Sequence, residues 1–297
     1  EPEEHPLQVR SDSSSAWSVS AILMHRWRNR MNHVLVFAGT GEGPSIARAL
    51  LESGHRVSVS VVSTAASRAY AGMLLNELHV GAFPSQGSLS DYLAAVGVTQ
   101  VVDATHPFAL TISAELRSVC SLQNLPLIRF ERPDHAVDEG SLLARVEDLA
   151  GCALSGHRLL LAVGARQLAA AAAAARLAGA RVHARVLPTA EAIRHAGLAG
   201  LSGEQLAVLR PGSGERSGGL EAALCRRWEI TDVVCRQSGG AADQLWSELS
   251  RKHCICLWKL KRPEPLLSVD AVHSVNQLCR KLDGDVNGSA TDPHHGG

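Results

Sequence analysis

Three glycines crowd the end of an apolar run: His33-Val-Leu-Val-Phe-Ala38 leads into Gly39-Thr40-Gly41-Glu42-Gly43 and then Pro44. Between a strand and a helix, such a loop lets the backbone approach a phosphate and offers it free N–H groups at the positive end of the helix. The third glycine comes one residue earlier than in the usual G-x-G-x-x-G spacing, so a tight structural turn is the competing reading. About 20 residues further on, enzymes that use NAD place an acidic residue on the ribose hydroxyls. This chain has Ser63-Thr64-Ala65-Ala66-Ser67-Arg68 there. Hydroxyls and an arginine suit a 2′-phosphate, which a carboxylate would repel, so NADPH is expected over NADH. Thr105, His106 and Pro107 close a later apolar run, 100–104, and are expected beside the same cofactor. His106 and Asp103 are the candidate proton donors, although a packed histidine and a loop-capping aspartate are the simpler readings.

A second group of residues suits anions. Arg129, Arg132, Arg210, Arg236 and Arg262 all fall near the ends of apolar runs, and arginine pairs with carboxylates through a two-point fork. Ser238-Gly239-Gly240 could form a further anion cradle at a strand-to-helix junction, or a plain turn. No metal site is expected. The seven cysteines form no Cys-x-x-Cys and the 14 histidines no His-x-x-x-His. The Tyr-x-x-x-Lys relay of sugar and polyol oxidoreductases is missing too, since the fourth residue after Tyr70 is Leu74 and after Tyr92 is Val96.

The elements that must carry these residues alternate. Short β-branched runs at 33–38, 56–62, 78–80, 100–104 and 125–130 read as strands. Helices are expected at 44–53, at 67–78, from a capping box at Ser88 to Asp91, and at 109–122. After a linker around Glu131-Arg132-Pro133-Asp134 the pattern restarts, with strands at 158–163, 181–187, 206–209, 232–235 and 254–260. Helices lie between them, including the alanine run 169–175, and a last helix is expected at 269–282. Strand and helix in strict alternation predict parallel sheets covered on both faces. The class is therefore α/β, with two lobes, 31–133 and 134–282, and a cleft between them. Residues 1–30 read as an N-terminal extension and 283–297 as a polar tail, both expected to be disordered.

A chain of 297 residues has room for about two domains. Its 29 Lys+Arg balance 29 Asp+Glu and aromatics are 4%. A nucleic-acid binder would show a basic excess or stacking platforms, so neither duplex nor single strand is expected as partner. No apolar run is long enough for a transmembrane helix, and reduced thiols suit the cytoplasm.

Taken in order, Ala38-Gly-Thr-Gly-Glu-Gly43, Val102-Asp-Ala-Thr-His-Pro-Phe-Ala109, Leu125-Pro-Leu-Ile-Arg-Phe-Glu-Arg-Pro133, Arg236-Gln-Ser-Gly-Gly240 and Lys261-Arg-Pro263 resemble the precorrin-6A reductases of cobalamin biosynthesis, over about residues 31 to 282. The resemblance implies two Rossmann-like lobes and NADPH-dependent reduction of one double bond of precorrin-6A to give precorrin-6B, without metal or flavin. It also implies a tetrapyrrole whose acetates and propionates would meet Arg129, Arg210, Arg236, Ser238, Gly239, Gly240 and Arg262. Cobalt-precorrin-6A as substrate, or a non-catalytic NADP(H) sensor, remain alternatives, and a monomer or small homo-oligomer is expected. Two positions depart from the family pattern: Arg236 stands where a Lys is common, and Val163-Gly164 where Thr-Gly is common. Replacing Arg68 with Ala should weaken NADPH far more than NADH in a binding titration, whereas equal losses would remove the argument for the 2′-phosphate.

Overall fold

The computed structural model describes residues 32–132, 140–210, 218–264 and 269–285. They divide into two compact units. One takes the described residues up to Thr105, Thr111–Phe130 and those from 269 onward; the other takes His106–Leu110 and those from Glu131 to Glu264.

The first unit is a six-stranded parallel sheet. Its strands are β1 (His33–Ala38), β2 (Arg56–Val61), β3 (Glu77–Val80), β4 (Gln100–Ala104), β5 (Leu127–Phe130) and a late arrival, Asp270–Val272, in the order Asp270–Val272, β5, β4, β1, β2, β3. All six β1 residues are buried, as expected of a strand covered on both faces. Val34 and Val36 pack on one side against Ile46, Ala47 and Leu50 of α1 (Gly43–Glu52). Leu35 and Phe37 pack on the other against Leu89 and Leu93 of α3 (Gln86–Val96) and Leu116 of α4 (Leu110–Leu122). A single helical turn, α2 (Thr64–Ser67), follows β2.

The second unit repeats the plan: β6 (Gly140–Leu143), β7 (Arg158–Ala162), β8 (Arg181–Val186), β9 (Leu206–Val208), β10 (Asp232–Arg236) and β11 (Cys256–Leu260), ordered β6-β11-β10-β7-β8-β9 and all parallel. The alanine run lies in α5 (Ala165–Leu177), whose Ala171, Ala172 and Ala175 are wholly buried against Leu159 and Leu161. Small side chains let this helix lie close to the sheet. α6 (Ala190–Leu198) packs beside it, while α7 (Gly219–Arg227) and α8 (Gly240–His253) cover the opposite face around Leu160, Trp246 and Leu249.

Several expectations need correction. The helix expected at 67–78 is only α2 and a 3-10 turn, Arg68–Tyr70, because Tyr70 turns into the core and Gly72, at φ 79°, ends the helical path. The capping box before α3 uses Ser85 and Ser88, three residues earlier than expected. The last segment, placed in the second lobe by its position in the sequence, belongs to the first unit. There Asp270–Val272, now β12, pairs with β5, and Leu278 and Leu282 of α9 (Val275–Asp285) join the α1 core. Strand β6 was not foreseen. The expected strand 254–260 starts at Cys256, because Cys254 still caps α8. The extension at 1–30, the second half of the linker (Pro133 and Asp134) and the tail beyond 285 lie outside the described residues. Among the described residues no helix is long and apolar enough to cross a membrane.

Burial also sets a pH dependence. Desolvation, aided by nearby arginines at His33 and His183 and opposed by Asp283 at His55, lowers all three histidines below the ordinary value of 6.5. Below that value the unfolded chain takes up protons that the folded chain refuses, so stability is full above pH ~6.5 and falls as pH drops toward the folded values. Thermal melts should show this slope. His183→Phe, which keeps the ring stack on Trp228 (centroids 4.8 Å apart), should make it shallower; an unchanged slope would contradict the assignment.

Candidate functional site

In the first unit the winding reverses between β1 and β4, and the glycine loop leaves β1 at that reversal. Gly41 and Gly43 have different tasks. A Cβ at Gly43 would overlap the Tyr70 hydroxyl and stand 2.8 Å from the Ala38 Cβ, so this glycine permits the close approach of α1 to β1. Burial pushes the Tyr70 phenol up to about 12, which keeps it neutral in this contact. A Cβ at Gly41, by contrast, would meet nothing within 4 Å. Gly41 is exposed and just precedes the N-terminus of a ten-residue helix, the kind of position at which free N–H groups receive a phosphate. Thr40 Oγ1 donates to the Ala104 carbonyl at 3.3 Å, tying the loop to the end of β4. Glu42 occupies the N-cap without a side-chain cap bond. At the end of β2, the Ser63 hydroxyl accepts from the Ala66 N–H and so caps α2; Thr64 and Arg68 are exposed.

Three candidates are internal. Asp103 is 1% exposed, and its Oδ1 accepts from the Thr105 N–H at 3.0 Å and the Thr105 hydroxyl at 2.6 Å while pairing with Arg129 Nη1 at 2.7 Å. Arg129 Nη1 also donates to Thr105 Oγ1 and Ser113 Oγ. This closed cluster fixes the chain as it leaves β4. Asp103, Thr105 and Arg129, expected in catalytic, cofactor and substrate roles, thus hold one another at the end of β4.

The second unit carries a cavity of about 610 Å³ at the carboxyl ends of β7, β8 and β10, which is again where the winding reverses. His106, Phe108, Gly164, Arg185, Arg236 and Trp246 are among its lining residues. His106, expected beside the cofactor, thus belongs to this unit, whereas the glycine loop belongs to the first. Its Nδ1 accepts the Phe108 N–H at 3.2 Å, so the neutral ring carries its proton on Nε2. Arg236 is half-buried in the wall; burial, then the neighbouring charge of Arg166, hold its pKa below the usual arginine value. Arg185, 14% exposed at its side chain, reaches buried Glu221 at 3.5 Å.

The anion cradle expected at Ser238, Gly239 and Gly240 is largely occupied. Asp243 Oδ2 accepts the Gly239 N–H at 3.1 Å, and Arg132 donates to the Ser238 and Gly239 carbonyls at 3.2 and 3.3 Å. The two glycines answer a conformational need, with φ of 63° and 70°. Asp243 is in turn neutralised by Lys259 at 2.7 Å, both wholly buried. Arg262 spans Gln237, the Arg132 carbonyl and Glu131, so it clamps loops; Arg210 is exposed just past β9. Among the described residues no group of three or more His, Cys, Asp or Glu could hold a metal. Arg185, Gln167 and the Asp243–Lys259 pair escaped the sequence reading. Only Arg185 carried a usable signal, as an arginine near the carboxyl end of a recognised strand.

Two doubly wound parallel sheets define a pair of Rossmann-type α/β units, the second with a cavity at its point of reversal. A solved structure of CobK precorrin-6A reductase shares this fold, at TM-score 0.66 and 22% identity over 89% of this chain and 100% of that one. The family model described as "Precorrin-6x reductase CbiJ/CobK" matches residues 33–283. Cobalt-precorrin-6A reductase of Synechocystis sp. is 30% identical over 258 residues, 84% of this chain and 96% of its own length. Precorrin-6A reductase of Mycobacterium tuberculosis is 30% identical over 259 residues, 86% and 98% respectively. The chain belongs to the precorrin-6x reductase family, oxidoreductases of cobalamin biosynthesis.

Gly43→Ala should cost about 1–3 kcal/mol through overpacking and lower the melting temperature by several degrees. Gly41→Ala should melt near the parent protein yet bind a dinucleotide more weakly. Equal thermal losses in the two variants would contradict the division of labour between these glycines.

Proposed function

We propose that this protein reduces one double bond of the precorrin-6A macrocycle with NADPH, giving precorrin-6B. The observation that carries the reading is the space at Gly41, which a Cβ would enter without meeting another atom, beside the N-terminus of α1. Gly39, Thr40, Gly41, Glu42 and Gly43 would hold the cofactor's pyrophosphate, and Ser63, Thr64 and Arg68 its ribose phosphate. The dinucleotide supplies the hydride when bound; the protein supplies position and electrostatics.

The chain's own residues have separate tasks. The β1–α1 loop anchors the dinucleotide by backbone N–H groups, with no side chain at Gly39, Gly41 or Gly43 to obstruct it. Arg236 attracts an acid side chain of the tetrapyrrole into the cavity of the second unit. His106, its ring oriented through Nδ1, offers Nε2–H as a donor in the same cavity. Phe108 and Trp246 give an apolar wall that suits the flank of a macrocycle.

A second reading, reduction of cobalt-precorrin-6A, is favoured by the 30% identity to the Synechocystis enzyme of that name. The cobalt would belong to the substrate, so the same residues serve either reaction. Following NADPH absorbance with enzymatically prepared precorrin-6A and its cobalt form in parallel tests both. Oxidation with either, with product two hydrogens heavier by mass spectrometry, is expected. A protein that binds NADPH and consumes neither would overturn the proposal in favour of a sensor.

A further inference from the structure

Among the described residues that line the cavity of the second unit, one arginine has no acidic partner. Arg236 donates from Nε and Nη2 to the same oxygen, Gln167 Oε1, at 3.0 and 2.8 Å. Its guanidinium carbon lies 4.8 Å from the Phe108 ring centroid, and the group is flat enough against Gly164 that any side chain there would overlap it. The other cations of the cavity have acidic partners: Arg166 meets Glu191 at 3.6 Å and Arg185 meets Glu221 at 3.5 Å. Among the described residues no carboxylate pairs with Arg236.

Every tether on this guanidinium is neutral: an amide, an aromatic face and a glycine that yields space. A half-buried arginine would gain more from a carboxylate, because charge-assisted bonds are roughly twice as strong as neutral ones. An amide fixes the plane of the group and leaves its charge, with the Nη1 donors, for something else. We propose that Gln167 is the positioning residue of a one-carboxylate subsite, holding Arg236 oriented and un-neutralised for a single acid side chain of the ligand. Gly164 is the accompanying requirement, since a Cβ there would overlap the guanidinium in this position. The inference rests on the proposed acid-bearing tetrapyrrole for its physiological ligand, but its chemistry can be probed without that molecule.

Gln167→Glu tests it. The variant keeps the size of the side chain and both acceptor contacts, so the fold should be retained or stabilised, while the new charge cancels that of Arg236. In a propionate titration followed by the arginine Nε–H resonances, Arg236 should shift saturably in the parent protein and not in Gln167→Glu. With precorrin-6A, KM should rise on the order of 10- to 100-fold, the equivalent of one lost charge-assisted bond. The change in kcat should be smaller, and NADPH affinity unaltered. Gln167→Leu, which keeps the charge and removes the tether, should raise KM by an intermediate factor; parental KM in this variant would overturn the positioning role. Absence of a propionate shift at Arg236 in the parent protein, or equal shifts and equal KM in Gln167→Glu, would overturn the subsite and leave the reductase reading intact. Conversely, a propionate shift lost in Gln167→Glu, in a protein that reduces neither precorrin, would keep the subsite and remove the functional reading.

Discussion

Everything the two units can bind depends on where their parallel sheets change direction. In the first, the chain winds from β1 toward β2 and β3, then from β4 toward β5 on the other side. The loops after β1 and β4 therefore diverge, and no connecting backbone fills the gap between them. In the second, β7 and β10 diverge in the same way. A right-handed crossover between parallel strands forces this opening, so the architecture provides two crevices before any catalytic residue is chosen. Residue type then decides what each crevice accepts.

The same small residue is used in opposite senses. Gly43 and Gly164 both stand where a side chain would collide with a neighbour: with Tyr70 and Ala38 in one case, with Arg236 in the other. At Gly43 the freed volume brings helix and strand together. At Gly164 the volume is filled by the protein's own guanidinium. The first crevice thus offers backbone N–H groups and the second a side-chain cation. Net neutrality, 29 positive against 29 negative side chains, conceals this arrangement. Asp103–Arg129 and Asp243–Lys259 cancel each other in the interior, as buried charges must, while Arg236 is spared such a partner.

The framework was legible because its strands are covered on both faces. Continuous apolar runs such as 33–38 and 100–104 announce themselves, and the observed strands match them residue for residue. What escaped were β6 and β12, edge strands of four and three residues whose partners lie far away in sequence. Neither has a periodicity of its own. The glycine loop was visible as a motif, but the distinct tasks of Gly41 and Gly43 depend on Tyr70, whose segment was misjudged as a long helix. Arginines were chosen by position at strand ends, a rule blind to their partners. It selected Arg129 and Arg262, which are consumed by internal contacts, and passed over Arg185. Gln167 had no signal at all, since its importance lies in the group it faces across |i−j| of 69 residues.

The central claim is a division of labour: dinucleotide at the β1–α1 loop, acid groups at the β7–α5 wall. Hydrogen exchange of the full chain, read by mass spectrometry with and without saturating NADPH, tests it most directly. Slowed exchange confined to residues 39–45 and 62–68, with 163–168 unaffected, is the predicted result. Protection by NADPH at 163–168 and none at 39–45 would contradict the account.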